Sequence, residues 1–325
     1  MLRRTIFIFF LPIVLFIGCS NEVVQTKKEK VGLLLEDSIY DQGWNSKGYQ
    51  GLLNIHTNLD VEVYSKEEVN TEEKIKSTIE EFYLNDVSII FGHGQMYAHY
   101  FSEMADEYPD IHFISFNGHV KGNNVTSLHF DGYAMGYFAG SLSAIMSQNN
   151  KIAVIAAFPW QPEIEGFIEG AKFENEDINV KVEYVNSWTD EELALSYYQS
   201  LKNDEVDVFY PIGDGFHISV LEEVKNDGLY IIGYVSDFSD LGEATVLTST
   251  IQHVDELYEI VTRKYLDGEL DTGNLYFDFQ DSVISLGKFG SQVSEGIVEY
   301  MEDAVIHYIE NGEMQEERYQ DSNLP

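Results

Sequence analysis

Polar and aromatic side chains gather at seven places along this chain, each directly after a short apolar run. They are Glu36-Asp37, Gly92-His93-Gly94, Asn117-Gly118, Phe158-Pro159-Trp160, Ser187-Trp188, Gly213-Asp214-Gly215 and Ser236-Asp237-Phe238. Aromatic faces stack on planar rings, and Asn and Asp side chains hold hydroxyls and ring nitrogens, so such groups converging in a crevice would bind a small polar molecule. The candidates are Asp37, His93, Asn117, Trp160, Trp188, Asp214 and Asp237. Any one of them could equally be a turn former or a packing group. Their recurrence at one run end after another is what favours a site.

Signals for catalysis are missing. The chain has no GxxxxGKS/T loop, no GxSxG elbow, no HExxH pair and no CxxC pair. His93, His99 and His112 fall on different predicted elements, so no metal site is expected from them. Asp190-Glu191-Glu192 reads as the start of a helix, where carboxylates complement the positive end of the dipole. No catalytic residue, metal or cofactor is expected, and the chain reads as a binder.

The N-terminus indicates where binding would take place. Arg3 and Arg4 precede an apolar run from Thr5 to Ile17, which ends in Gly18 and in Cys19, the only cysteine of the 325 residues. A run of this length has the build of a secretory signal and is too short to span a bilayer comfortably. A small residue before a lone cysteine is the pattern of a lipoprotein signal, with Phe16 standing where Leu is usual. The expectation is a signal peptide over residues 1–18, a diacylated Cys19 and a lipid-anchored linker over residues 19–30. Two acyl chains give stable anchoring, here at the outer face of the cell membrane.

Composition narrows the class further. About 300 residues remain after the signal, enough for two lobes with sizeable cores. A hydrophobic content of 44%, with 20 Phe and 21 Tyr, describes a folded chain, and one cysteine leaves no disulfide. The formal charge of -37 repels phosphates, so direct nucleic acid binding is not expected. The acidity otherwise reads as solubility and tolerance of salt or alkali.

The elements that must position the candidates repeat one theme, an apolar strand followed by a helical segment. Predicted strands cover 31–35, 61–64, 88–91, 112–116, 151–156, 180–184, 206–211 and 230–234. Predicted helices cover 44–56, 71–84, 97–107, 133–146, 164–173, 190–202 and 218–227. Continuous apolar strands alternating with helices imply mostly parallel, doubly wound α/β sheets covered on both faces. There are too many units for one comfortable sheet, so two lobes are expected, with the cleft at the C-terminal ends of the strands. The first lobe is placed at residues 31–130 plus about 245–280, and the second at 131–244 plus about 281–313. Returning crossovers are expected near Val246 and Val283, and residues 314–325 read as a frayed polar tail.

Over nearly the whole mature length the sequence resembles the basic membrane protein (BMP) family of solute-binding lipoproteins. The matching blocks are VGLLLEDSIYDQGWNSKGYQGL, IIFGHGQMYAHYFSEMADEYPDIHFISFNG, NNVTSLHFDGYAMGYFAGSLSA, KIAVIAAFPWQPEIEGFIEGAKF and DVFYPIGDGFHISVLEEVKNDGLYIIGYVSD. In the first block Asp41, Trp44 and Asn45 stand at the family's D-x-S-F-N, with Trp for Phe and Gly43 for Ser. The resemblance implies a two-lobed fold like that of type I periplasmic-binding proteins, with the ligand between the lobes. It also implies a nucleoside-like ligand and an ABC permease or a membrane signalling partner.

Three positions depart from the nucleoside-binding members. Asn117 stands for Asp, Val235 for the first Asp of G-V-D-x-D-Q, and Gln252 for the lysine of S-M-V-K. Trp44, Asn45, Asp37, Trp160 and Asp214 keep a cleft able to hold a planar ring. The phrases KVGLLLEDSI, WQPEIEGFIEGAK, YPIGDG and SDLGEATVLTST are similar to a branch of the family, Med, whose members promote competence gene expression. Two functions therefore stand side by side, a receptor for a small solute and a regulatory lipoprotein with altered or lost nucleoside binding.

Overall fold

The computed structural model describes residues 28–40, 43–316 and 318–319. Cys19, the signal peptide, most of the linker and Asp41 lie outside these residues.

Alternate side chains of each central strand are buried on opposite faces, and this makes the strands read as unbroken apolar runs. In β1 (Lys30–Leu35), Val31, Leu33 and Leu35 join one core while Leu34 joins another. Beside it run β2 (Glu62–Lys66), β3 (Ile89–His93), β4 (His112–Phe116), β5 (Val125–Phe130) and β11 (Gly273–Phe277). All are parallel, in the order β11-β5-β4-β3-β1-β2. Helices α1 (Trp44–Leu59) and α8 (Val254–Leu266) cover one face, and α2 (Glu72–Leu84) and α3 (Tyr97–Met104) the other.

The second sheet has the order β12-β10-β9-β8-β6-β7. It contains β6 (Lys151–Ala156), β7 (Asn179–Tyr184), β8 (Val208–Ile212), β9 (Tyr230–Val235), β10 (Val246–Gln252) and β12 (Ile284–Leu286). Only β12 is antiparallel to its neighbour among the described strands. Helices α4 (Gly132–Met146), α5 (Pro162–Glu174) and α9 (Glu295–Asn311) lie on one face, and α6 (Glu191–Asn203) and α7 (His217–Asp227) on the other. Helix starts follow local chemistry: Thr71 accepts from the Lys74 amide at 3.3 Å, and Asp190 from the Leu193 amide at 3.0 Å. Glu191 and Glu192 occupy the first turn of α6, as the sequence predicted.

Helices α4 and α5 approach unusually closely. A Cβ at Gly136 or Gly140 would collide with the carbonyl of Glu163 or Phe167, and one at Gly166 or Gly170 with that of Tyr133 or Tyr137. The two short glycine repeats are what allow this packing.

The chain passes between the lobes at Asp131, at His253 and after Phe277. The passages lie side by side: the Asp131 amide donates to Phe277 O and the His253 amide to Val283 O, both at 2.8 Å. Three expectations are corrected here. Residues 246–252, assigned from sequence to the first lobe, form a strand of the second sheet, and the return falls at His253, not near Val246. Residues 125–130, within the expected first lobe but not among the predicted strands, are a full strand of the first sheet. The tail is docked as far as Tyr319: Arg318 pairs with Glu176 at 2.7 Å, and the Tyr319 amide donates to Glu174 at 3.0 Å.

Candidate functional site

The cleft is lined by strand ends. On the first lobe, Trp44 opens α1 and lays its ring on His93, at 4.3 Å between centroids and 16° between planes. Phe116 and Phe130 meet the same ring edge-on at 5.7 and 6.4 Å. His93 is fully buried. Its Nε2 lies 2.7 Å from Trp44 O, which can only accept, so Nε2 carries a proton, and its Nδ1 lies 3.0 Å from the Tyr258 hydroxyl. His93 is thus a strut holding the start of α1. Asn45 is buried on the next position of the helix, with 7% exposed.

Asn117 closes β4 at a φ of 56°, in the left-handed region that Asn tolerates, and is exposed. Asp37 is exposed on the bend after β1. Its neighbour Glu36 is the group whose ionisation the fold tunes: burial, and then the Asp37 charge, push its pKa up to about 7. Glu36 stood within a strand-end cluster in the sequence, but nothing local distinguishes it from an exposed carboxylate.

The second lobe contributes an aromatic rim. Phe158 and Trp160 stack at 5.4 Å, and Trp188 meets them at 5.3 and 5.9 Å. Trp160 remains 55% exposed and borders a cavity of about 430 Å³ along the flank of α5. The Gly215 amide donates to Trp188 O at 2.9 Å, tying this rim to the loop that carries Asp214. Asp214 reaches the opposite lobe, where a Cβ on Gly43 would stand 2.5 Å from its Oδ1. A second bridge joins Lys47 of α1 to Gln252 O at 3.3 Å. Burial lowers the Lys47 pKa, against the opposing pull of Asp255.

Asp237 braces a loop. Its Oδ1 accepts from the Ser239 amide at 2.9 Å and its Oδ2 from the Lys288 amide at 3.2 Å. Val235 ends β9 at a φ of 69°, with the Ser236 amide donating to Tyr234 O at 2.9 Å. This is a tight γ-turn, strained for a β-branched residue. The structure therefore gathers Trp44, Asn45, His93 and Asn117 on one lobe and Trp160, Trp188 and Asp214 on the other, while Asp37 is exposed and Asp237 serves its own loop. Glu36, Lys47 and Glu163, all shaped by burial, are the residues sequence reasoning passed over.

Comparisons with known proteins agree with the fold. The profile of the Bmp family, described as ABC transporter substrate-binding protein PnrA-like, matches residues 28–316. The chain is similar to the transcriptional activator protein med of Bacillus subtilis, with 45% identity over 97% of this chain and 99% of that one. It resembles the crystal structure of a transcriptional activator of the comK gene from Bacillus halodurans, with a TM-score of 0.84 and 53% identity over 88% of this chain and 99% of the other. A solute-binding protein of an ABC transporter system from Aeropyrum pernix shares the fold, with a TM-score of 0.70 and 18% identity over 89% and 82% of the two chains. Among the described residues no helix is long and apolar enough to cross a membrane.

Proposed function

The chain belongs to the Bmp family of PnrA-like ABC transporter substrate-binding proteins, and on that premise we propose that it captures a small polar, nucleoside-like ligand between its lobes. It works at the outer face of the cell membrane, held by acyl chains on Cys19, and passes the ligand to an ABC permease. It is a binder and not an enzyme, and it does not touch nucleic acid. The observation that supports this reading is the approach of the two lobes at their strand ends: Asp214 lies against Gly43, next to Trp44 and Asn45 at the start of α1, and its loop is tied to Trp188 of the aromatic rim. Aromatic planes with a few polar groups between two hinged lobes suit a planar ring bearing hydroxyls.

The test is thermal unfolding of a soluble fragment beginning at Asn21, with purine and pyrimidine nucleosides. A ligand at about a hundred times its dissociation constant adds about 2.7 kcal/mol. A raised midpoint that Trp44→Ala and Asn45→Ala abolish supports the receptor. Unchanged midpoints with every nucleoside turn the reading to its alternative.

That alternative is a regulatory lipoprotein promoting competence gene expression, with altered or lost nucleoside binding. It is favoured by the 45% identity to the Bacillus subtilis protein along almost the entire chain. Asn117, Val235 and Gln252 at strand ends are consistent with it. The two readings join if open and closed lobes present different surfaces to a membrane partner. Deletion of the gene with unchanged competence-gene expression would remove the regulator.

A further inference from the structure

Glu163 is the second residue of α5, and its carboxyl is buried where the chain first passes between the lobes. The residue is 5% exposed. Gly132 opens α4 directly after that passage, and a Cβ on it would stand 2.8 Å from Glu163 Oε2. Only glycine leaves room for the carboxyl there. Tyr234 of β9 donates its hydroxyl to Oε1 at 3.2 Å. Oε2 is buried with no hydrogen-bond partner among the described residues.

Among the described residues, the groups that act on this carboxyl offer no positive charge. Asp131, the N-cap of α4, adds repulsion to the desolvation that raises the Glu163 pKa, while the Tyr234 hydroxyl and a backbone amide only partly oppose it. Tyr210 of β8 lies close enough for Glu163 to raise its pKa in turn, and Tyr234 also feels Asp214. Both tyrosines are held in the protonated form by burial. A carboxylate held only by the Tyr234 hydroxyl and a backbone amide, with a bare buried oxygen, is costly, whereas the neutral acid suits the site.

The location connects the acid to the interlobe passages. Asp131 and Gly132 form the first passage. Tyr234 precedes the strained turn at Val235, and Val235 lies beside Ile251 of β10, whose chain leads directly into the second passage at His253. A proton on Glu163 thus acts on α4, α5 and β9 at once.

We propose that Glu163 is a proton-carrying positioning residue for the hinge. As the neutral acid it lets the starts of α4 and α5 pack against Tyr234 in the arrangement described. On losing its proton it draws in water, pushes away from Asp131 and separates α4 from β9, changing the angle between the lobes. The idea rests on the hinge alone, so it stands or falls independently of any solute.

The test is a distance between fluorophores on the full lipidated chain in nanodiscs, attached at Tyr83→Cys on the first lobe and Ile306→Cys on the second, both exposed positions. As pH rises above the ordinary carboxylate range the interlabel distance is expected to shift with a one-proton dependence. Glu163→Gln, an isostere of the neutral acid, should abolish the shift and hold the low-pH distance throughout. Tyr234→Phe should move the midpoint. Glu36→Gln removes the other carboxyl raised by burial and should leave the transition intact. The proposal is overturned if the wild-type distance does not change with pH, if the Glu163→Gln variant titrates as the wild type does, or if Glu36→Gln removes the transition.

Discussion

Asp214 of the second lobe rests against Gly43 of the first, its Oδ1 lying 2.5 Å from where a Cβ would stand. Gly43 caps α1, whose own first turn carries no acidic residue. Asp214 brings a carboxylate from the opposite lobe to the positive end of this helix, where negative charge is favoured. Contact between the lobes at this point requires glycine. Gly43→Ala should cost about 1 kcal/mol in the wild type, at the low end for overpacking, and little in an Asp214→Ala background. Urea unfolding of the four proteins in a double-mutant cycle measures the coupling. Strict additivity would show that the two residues do not share a contact.

Val235 holds a φ of 69° while only 8% exposed. Strain of this kind costs about 1–3 kcal/mol in a β-branched residue. Val235→Asn and Val235→Thr both lose apolar burial, but only Asn is at ease at positive φ. The Asn variant should exceed the Thr variant in stability by about 1 kcal/mol. Equal midpoints in urea would mean that the turn relaxes without strain.

Two half-buried groups give stability opposite dependences on pH. Glu36 is raised to about 7 by burial and by Asp37, so its contribution is present below the unfolded value of about 4.5 and is lost as pH rises to about 7. His112, lowered to about 4 by burial, contributes stability that is lost as pH falls from about 6.5 to about 4. Its Nε2 lies 2.9 Å from Thr126 Oγ1, which itself donates to Asp271 O. After allowance for partial exposure each effect is about 1–2 kcal/mol. Glu36→Gln should raise the melting temperature at pH 8 and leave it nearly unchanged at pH 4. An equal rise at both values would remove ionisation as the cause.

The α4–α5 contact makes a sharper demand. Gly140→Ala gains about 1 kcal/mol of helix propensity but drives a methyl into the Phe167 carbonyl. The net loss should be about 2 kcal/mol, seen as a lower urea midpoint. A stabilised variant would show that the two helices can separate freely.

The strands easiest to find in the sequence were those buried on both faces. β6, with Ile152 to Ala156 at 0% exposed, is an unbroken apolar run and was located to the residue. β5 was missed because it alternates: Thr126, Ser127 and His129 interrupt Val125, Leu128 and Phe130, although all six are buried. β10 carries Thr248, Ser249 and Thr250 at 0% exposed and was assigned to the wrong lobe for the same reason. Polar residues at the centre of a sheet look like a loop until their partners are known. The Thr248 hydroxyl donates to Gly287 O, and Thr250 shares a hydrogen bond with Tyr210, both at 2.9 Å.

Periodicity and helix caps are written into neighbouring residues, so most elements, their order and the alternation of strand and helix could be read directly, and the quoted blocks sufficed to recognise the family. The state of each site residue could not. Trp44 and His93 are 49 positions apart, and only folding turns the pair into a stacked strut whose Nε2 donates to the Trp44 carbonyl. Asp214 meets Gly43 across the lobes, and Glu163 loses its water against Gly132 and Tyr234. Charge, tautomer and strain are set by desolvation and by partners distant in the chain, and these exist only once the two lobes have been brought together.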